Sequence, residues 1–233
     1  MKMKLAALAL LSAWATTSAC SQHVFSPPTQ AYMLAPVTTL APHGKALDVE
    51  ASSHQQIFDP GVGAASARLR TGLGDDLEVS GEAMVASVAN VDFYTGRAAL
   101  RVNPGKGAVS FNTGIGGGYA PKGGEFLALD AGFAVGYDNC YVVPVASAAA
   151  FVSQPIDAKP IDVSVDSNRM YSTARRTAGS VVRVGLRVSL SPAKCHAGKE
   201  VPWITAGFDE TTVVDATDHD FLFGFGVGVS LPL

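Results

Sequence analysis

Near its carboxyl end the chain reads "DATDHD", which gathers Asp215, Asp218, His219 and Asp220 within six residues. A carboxylate beside an imidazole orients the ring to take a proton from water, so His219 with Asp218 and Asp220 is the one grouping with catalytic chemistry to offer. An acidic, solvated loop is the plainer reading of the same residues. "SPAK", Ser191 to Lys194, matches S-x-x-K but carries a proline, reads as a turn and has no K-T-G partner. "GIGGGY" lacks the third glycine of a dinucleotide fingerprint and lies in a strand-like run, while "NPGKGA" reads as a turn and not as a phosphate loop. Cys195 and His196 are adjacent, and two adjacent residues cannot by themselves close a tetrahedral metal site. No cofactor and no metal are expected, and whether the chain is an enzyme stays open.

Charge placement is more informative. Arg68 and Arg70, Glu78 and Glu82, then Arg97 and Arg101 lie in three successive runs, the two of each run at positions of the same parity. If those runs are neighbouring strands, basic, acidic and basic residues alternate across one face, and opposed charges on adjacent strands attract. Asp130, Arg183 and Arg187 extend the set from a far wall. Two readings stay open: an ion network that plugs an interior, or a charge-lined selectivity path.

The elements that would carry these residues alternate with period two. In "DDLEVSGEAMV", Leu77, Val79, Gly81, Ala83 and Val85 share one face, with Glu78, Ser80, Glu82 and Met84 on the other. The pattern returns in "AASARLRTGL", "GRAALRVN", "AVSFNTGIGGGY", "LALDAGFAVGY", "VVRVGLRVSL" and the terminal "FLFGFGVGVSLPL", with weaker candidates at 46–53, 141–152 and 202–209. About ten strands result, and helix signals are scarce. In the last run Phe221, Phe223, Phe225, Val227, Val229 and Leu231 form a greasy face, whereas Gly224, Gly226, Gly228 and Ser230 form a nearly bare one. A soluble sandwich would put long polar groups opposite its apolar face. Small residues there fit a barrel with apolar groups toward lipid and a crowded lumen, where glycine leaves room for side chains of the opposite wall.

Composition agrees with an ordered single domain: 233 residues, 48% hydrophobic and 16% charged. A net charge of −3 and no basic cluster beyond Arg175-Arg176 make nucleic acid a poor partner. "MKMK", the apolar "LAALALLSAWA" and the small residues of "TTSAC" form an export signal over residues 1–19. Ending at Cys20, the stretch resembles a bacterial lipobox, which implies cleavage and lipidation at Cys20, although Thr17 stands where an aliphatic residue is usual. Residues 20–44, with prolines at 27, 28, 36 and 42, read as a flexible tether. Residues 45–233 then form the barrel. Export also suits the pair Cys140 and Cys195, which the strand count puts at the same rim, as a disulfide.

Residues 45–233 resemble the small outer-membrane β-barrels of Gram-negative bacteria in their alternating runs, the "GLGDDLE" turn and the aromatic-rich last strand. Leu233 and Pro232 depart from the usual terminal phenylalanine. The resemblance implies an all-β, single antiparallel transmembrane barrel of about 8–10 strands, located in the outer membrane. Its implied partners are outer-membrane lipid and the barrel assembly machinery, with any extracellular partner unknown. Connections at 72–76, 104–107 and 138–141 would be short and periplasmic. Those at 54–63, 87–96 and 153–179 would be longer and external. The expected role is structural, adhesive or interaction-based with a largely plugged lumen. The alternatives are a narrow pore, a surface hydrolase using the 215–220 loop, or a soluble periplasmic lipocalin-like binder. Omptin proteases are similar in having an aspartate and histidine at the outer rim, but their spacing does not match and this barrel is shorter.

Overall fold

The structure is a computed structural model describing residue 34 and residues 36–55, 62–88, 91–121, 123–137, 139–158, 160–162, 170–172, 176–196, 200–214 and 219–233. Twelve strands follow in chain order. They are β1 (Lys45–Gln55), β2 (Val62–Gly72), β3 (Leu77–Val88), β4 (Val91–Val102), β5 (Val109–Ala120) and β6 (Gly124–Gly136), then β7 (Val142–Ala158), β8 (Pro160–Asp162), β9 (Met170–Ser172), β10 (Thr177–Ser189), β11 (Trp203–Val214) and β12 (His219–Pro232). Ten of them close an antiparallel barrel in the order β1-β12-β11-β10-β7-β6-β5-β4-β3-β2, and β8 with β9 forms a separate small hairpin. Closure pairs the first strand with the last, Ala46 opposite Pro232 and Gln55 opposite Phe223, so the barrel has no free edge. Strands of 12 residues, such as β3 to β5, run about 40 Å and, tilted by about 40°, span about 30 Å, the thickness of a bilayer's hydrocarbon core.

Burial alternates residue by residue along the strands. The outward set is apolar: Ile115, Leu127, Leu129, Val184, Phe208 and Phe225 are all exposed. Tyr137 and Tyr141 mark the rim where β1 begins and β12 ends, here called the terminal rim, and Tyr94 faces Tyr119 near the opposite, distal rim. The ladder has one irregularity, between Glu125 and Phe126 of β6, beside Pro155 of β7. A proline cannot donate to the ladder, which is why such a residue is tolerated at a bulge.

Three expectations need correction. The long connection at 87–96 is a tight reversal, because β3 continues to Val88 and β4 resumes at Val91. The connection at 153–179 is shortened by β7, which runs to Ala158, and contains the β8–β9 hairpin. The tether is not free over its last part: Leu34 and Val37 are buried, and the chain from Pro36 to Gly44 runs along the terminal end of the lumen. Residues 20–33, with Cys20, lie outside the described residues.

Candidate functional site: the filled lumen

Because inward positions alternate strictly, each lumen side chain is delivered by strand parity and cross-strand register. Arg68 stands opposite Asp48 and Glu82, Glu78 opposite Arg101, and Glu82 opposite Arg97. The register therefore sets acid against base on three adjoining seams, and the guanidinium forks do the rest. Arg68 Nε donates to Asp48 Oδ2 at 2.8 Å, and Arg70 Nε donates to the same oxygen at 2.8 Å. Arg70 also reaches Glu78 Oε2 at 3.1 Å and Ser230 Oγ at 3.2 Å, while Arg101 Nη1 donates to Glu78 Oε1 at 2.8 Å. Arg97 donates twice to Asp130, from Nε and Nη2, each at 2.6 Å, and once to Glu82 Oε1 at 2.8 Å. The two-pronged contact with Asp130 fixes both planes, as the guanidinium geometry favours.

Arg68, Arg70, Glu78, Glu82, Arg97, Arg101 and Asp130 are thus brought together on one wall. Arg183 and Arg187 project from β10 on the other wall, Arg183 beside Glu50 and Asp209 around a small cavity, and Arg187 with its guanidinium carbon 4.8 Å from the Trp203 ring centre. Sequence reasoning missed Asp48, Glu50, His54 and Asp209. His54 Nε2 lies 2.9 Å from Asp209 Oδ1, and Thr211 donates to the other oxygen of Asp209 at 3.4 Å. Parity carried the signal, since Asp48 and Glu50 share the inward face of β1 with Ala46. That run, however, alternates only weakly in the sequence. Among the described residues six arginines (68, 70, 97, 101, 183, 187) and six carboxylates (48, 50, 78, 82, 130, 209) are buried, equal in number, together with His54.

Toward the distal rim the filling changes character. Met84, Phe93, Phe151, Val181, Val213 and Leu222 point inward and form one cluster with Ala64, Ala86 and Ala120. The inward glycines make room for neighbours rather than for the opposite wall. A Cβ on Gly224 would collide with His54 and Asp209 from the two adjoining strands, and one on Gly114 would strike the Arg97 guanidinium.

Cys140 and Cys195 are bonded, with Cα atoms 5.5 Å apart, at the terminal rim. The bond takes Cys195 out of metal chemistry, and His196 packs its ring edge-on to Tyr141 at 5.1 Å. Among the described residues no group of three or more potential ligands is placed to hold a metal. "SPAK" leads into a short helix, Pro192–His196, and "GIGGGY" lies within β5. His219 begins β12 opposite Val214 at the distal rim. Asp215 and Asp218 lie outside the described residues, and so do the side chains of His219 and Asp220.

No family model matches the chain, and no curated protein matches it. Among solved structures it is similar to the N-terminal β-barrel domain of Pseudomonas aeruginosa OprF, at 15% identity over 81% of this chain and 99% of that one, with a TM-score of 0.35. It is also similar to Neisserial surface protein A, at 10% identity over 81% and 95%, with a TM-score of 0.36. A third similarity is to the beta domain of the Bordetella autotransporter BrkA, at 12% identity over 81% and 98%, with a TM-score of 0.46.

Proposed function

We propose that this chain is an exported outer-membrane β-barrel protein with a structural, adhesive or interaction role and a bore closed to solutes, its terminal rim in the periplasm. The observation that carries the reading is the inversion of the two faces. Aliphatic and aromatic side chains cover the outside, whereas twelve charged residues are buried within. A soluble barrel, including a lipocalin-like binder, hides its apolar set and solvates its charges. Only a surrounding hydrocarbon phase makes the opposite arrangement favourable. Removal of residues 1–19 and lipidation at Cys20 belong to the same proposal, with outer-membrane lipid and the assembly machinery as partners.

The mature protein is expected to fractionate with outer membranes, to need detergent, and to migrate faster on gels before heating than after. Solubility without detergent would overturn the membrane reading. Labelled fatty acid is expected in the wild type and not in Cys20→Ala, and label retained by that variant would remove lipidation alone.

A further inference from the structure

Part of the terminal half of the lumen is filled by something the barrel strands do not supply. Leu34 lies at the mid-height of the barrel in a notch formed by Gly185 of β10 and Gly207 of β11, where any added Cβ would collide with the leucine side chain. Val37 packs with Ala134, Val143, Val145 and Trp203, and a Cβ on Gly136 would approach its Cγ2 to 2.9 Å. Leu40 follows at the same spacing and lines the cavity beside the segment. Two backbone donors are also received. The Leu40 amide donates to Glu78 Oε2 at 3.1 Å, and the His43 amide donates to the Gly72 carbonyl at 2.9 Å. A notch for one aliphatic group, an apolar seat for the group three residues on, and acceptors for the backbone that follows are the parts of a peptide-binding groove.

The occupant is seated but not welded. A cavity of ≈ 170 Å³ lies beside it, lined in part by Arg70, Arg187, Trp203 and Ser230. At its exit the chain reverses through Ala41–Gly44 with His43 at φ 65°, a conformation disfavoured for any residue with a Cβ. The groove opens on the terminal rim beneath the connection closed by the Cys140–Cys195 bond, since Cys195, Glu200 and Val201 line the same cavity.

We infer that the terminal half of the lumen is a peptide-binding groove, occupied at rest by residues 34–44, which takes another extended peptide bearing aliphatic side chains three positions apart. The resident segment opens independently of the barrel. An incoming peptide of the same chemistry competes for the notch at Gly185 and Gly207.

Trp203, which packs against Val37's cluster, is the only tryptophan outside the signal, the other being Trp14. Acrylamide quenching of Trp203 in the mature full chain therefore reads the groove. The wild type should be weakly quenched. Leu34→Asp with Val37→Asp puts two carboxylates near Glu50 and in an apolar seat, and should raise quenching severalfold while heat-modifiable migration stays intact. A synthetic peptide of residues 32–44 should restore protection saturably, and the same peptide carrying the two aspartates should not. Equal quenching of wild type and variant, or no saturable effect of the peptide, would overturn the inference. If the variant fails to fold, amide exchange in the wild type decides. Leu40 and His43 should exchange at least about tenfold slower than in an unfolded chain, yet faster than barrel amides. Exchange as fast as the unfolded chain, or as slow as the barrel, would contradict a seated, separable occupant.

Discussion

Two stretches of one bore are filled in opposite ways. From the terminal rim to mid-height, on the wall from β1 to β6, Asp48, Glu78, Glu82 and Asp130 face Arg68, Arg70, Arg97 and Arg101, and nearly every contact is a charge-assisted hydrogen bond. Toward the distal rim Phe93, Phe151, Leu222 and Met84 close the lumen by apolar packing. The first filling is directional, and each member depends on its partner being present, because a lone charge in a confined site is costly. The second is non-directional and tolerates loss in proportion to the volume removed. A barrel wall can thus hold a rigid, oriented lattice and a softer cap with one hydrogen-bonded frame.

The contrast is testable by substitution, the largest effect first. Glu78→Ala should lower stability in denaturant by about 3–5 kcal/mol, because it takes from Arg101 its carboxylate and leaves Arg70 with Asp48 and Ser230 alone. It also removes the acceptor of the Leu40 amide. A loss below about 1 kcal/mol would mean that solvent reaches the network. Leu222→Ala in the cap should cost about 2–4 kcal/mol by cavity formation, as urea unfolding in detergent would read it. A smaller loss would show that the cap collapses around the gap. In a double-mutant cycle, Glu82→Gln with Arg97→Met should show a coupling of roughly 1–3 kcal/mol. Met84→Ala with Leu222→Ala should add more nearly, unless the two share one cavity. On the lipid face Leu129→Val should change stability by no more than about 0.5 kcal/mol, since hydrocarbon fills the space it leaves.

Much of this was legible in the sequence, for a physical reason that also sets the boundary. Charges in a period-two run have one sheltered place in a membrane barrel, so Arg68, Arg70, Glu78, Glu82, Arg97, Arg101 and Asp130 announce both the inward face and the register. Phe151 announces nothing of the kind. An apolar residue suits lipid and lumen alike, and only its parity relative to a charge on the same strand separates the two; β7 has no inward charge to serve as a reference. Asp48 was within reach, but β1 is short of bulky outward residues near its end, which weakened the alternation. The packed segment from Leu34 to Gly44 was hidden for another reason. Prolines without a sustained period do not say what a segment lies against, and the Gly185 and Gly207 notch arises only when two strands far along the sequence are brought side by side. Beside the short connection after Val88, Asp92 and Tyr94 face outward at the distal rim, where polar and aromatic groups are at home.

The most direct measurement is the conductance of the purified full chain in planar bilayers. With the ion network, the distal cap and the resident segment all in place, no steady current should flow at either polarity. A large, sustained, ion-selective current through the wild type would contradict a filled lumen.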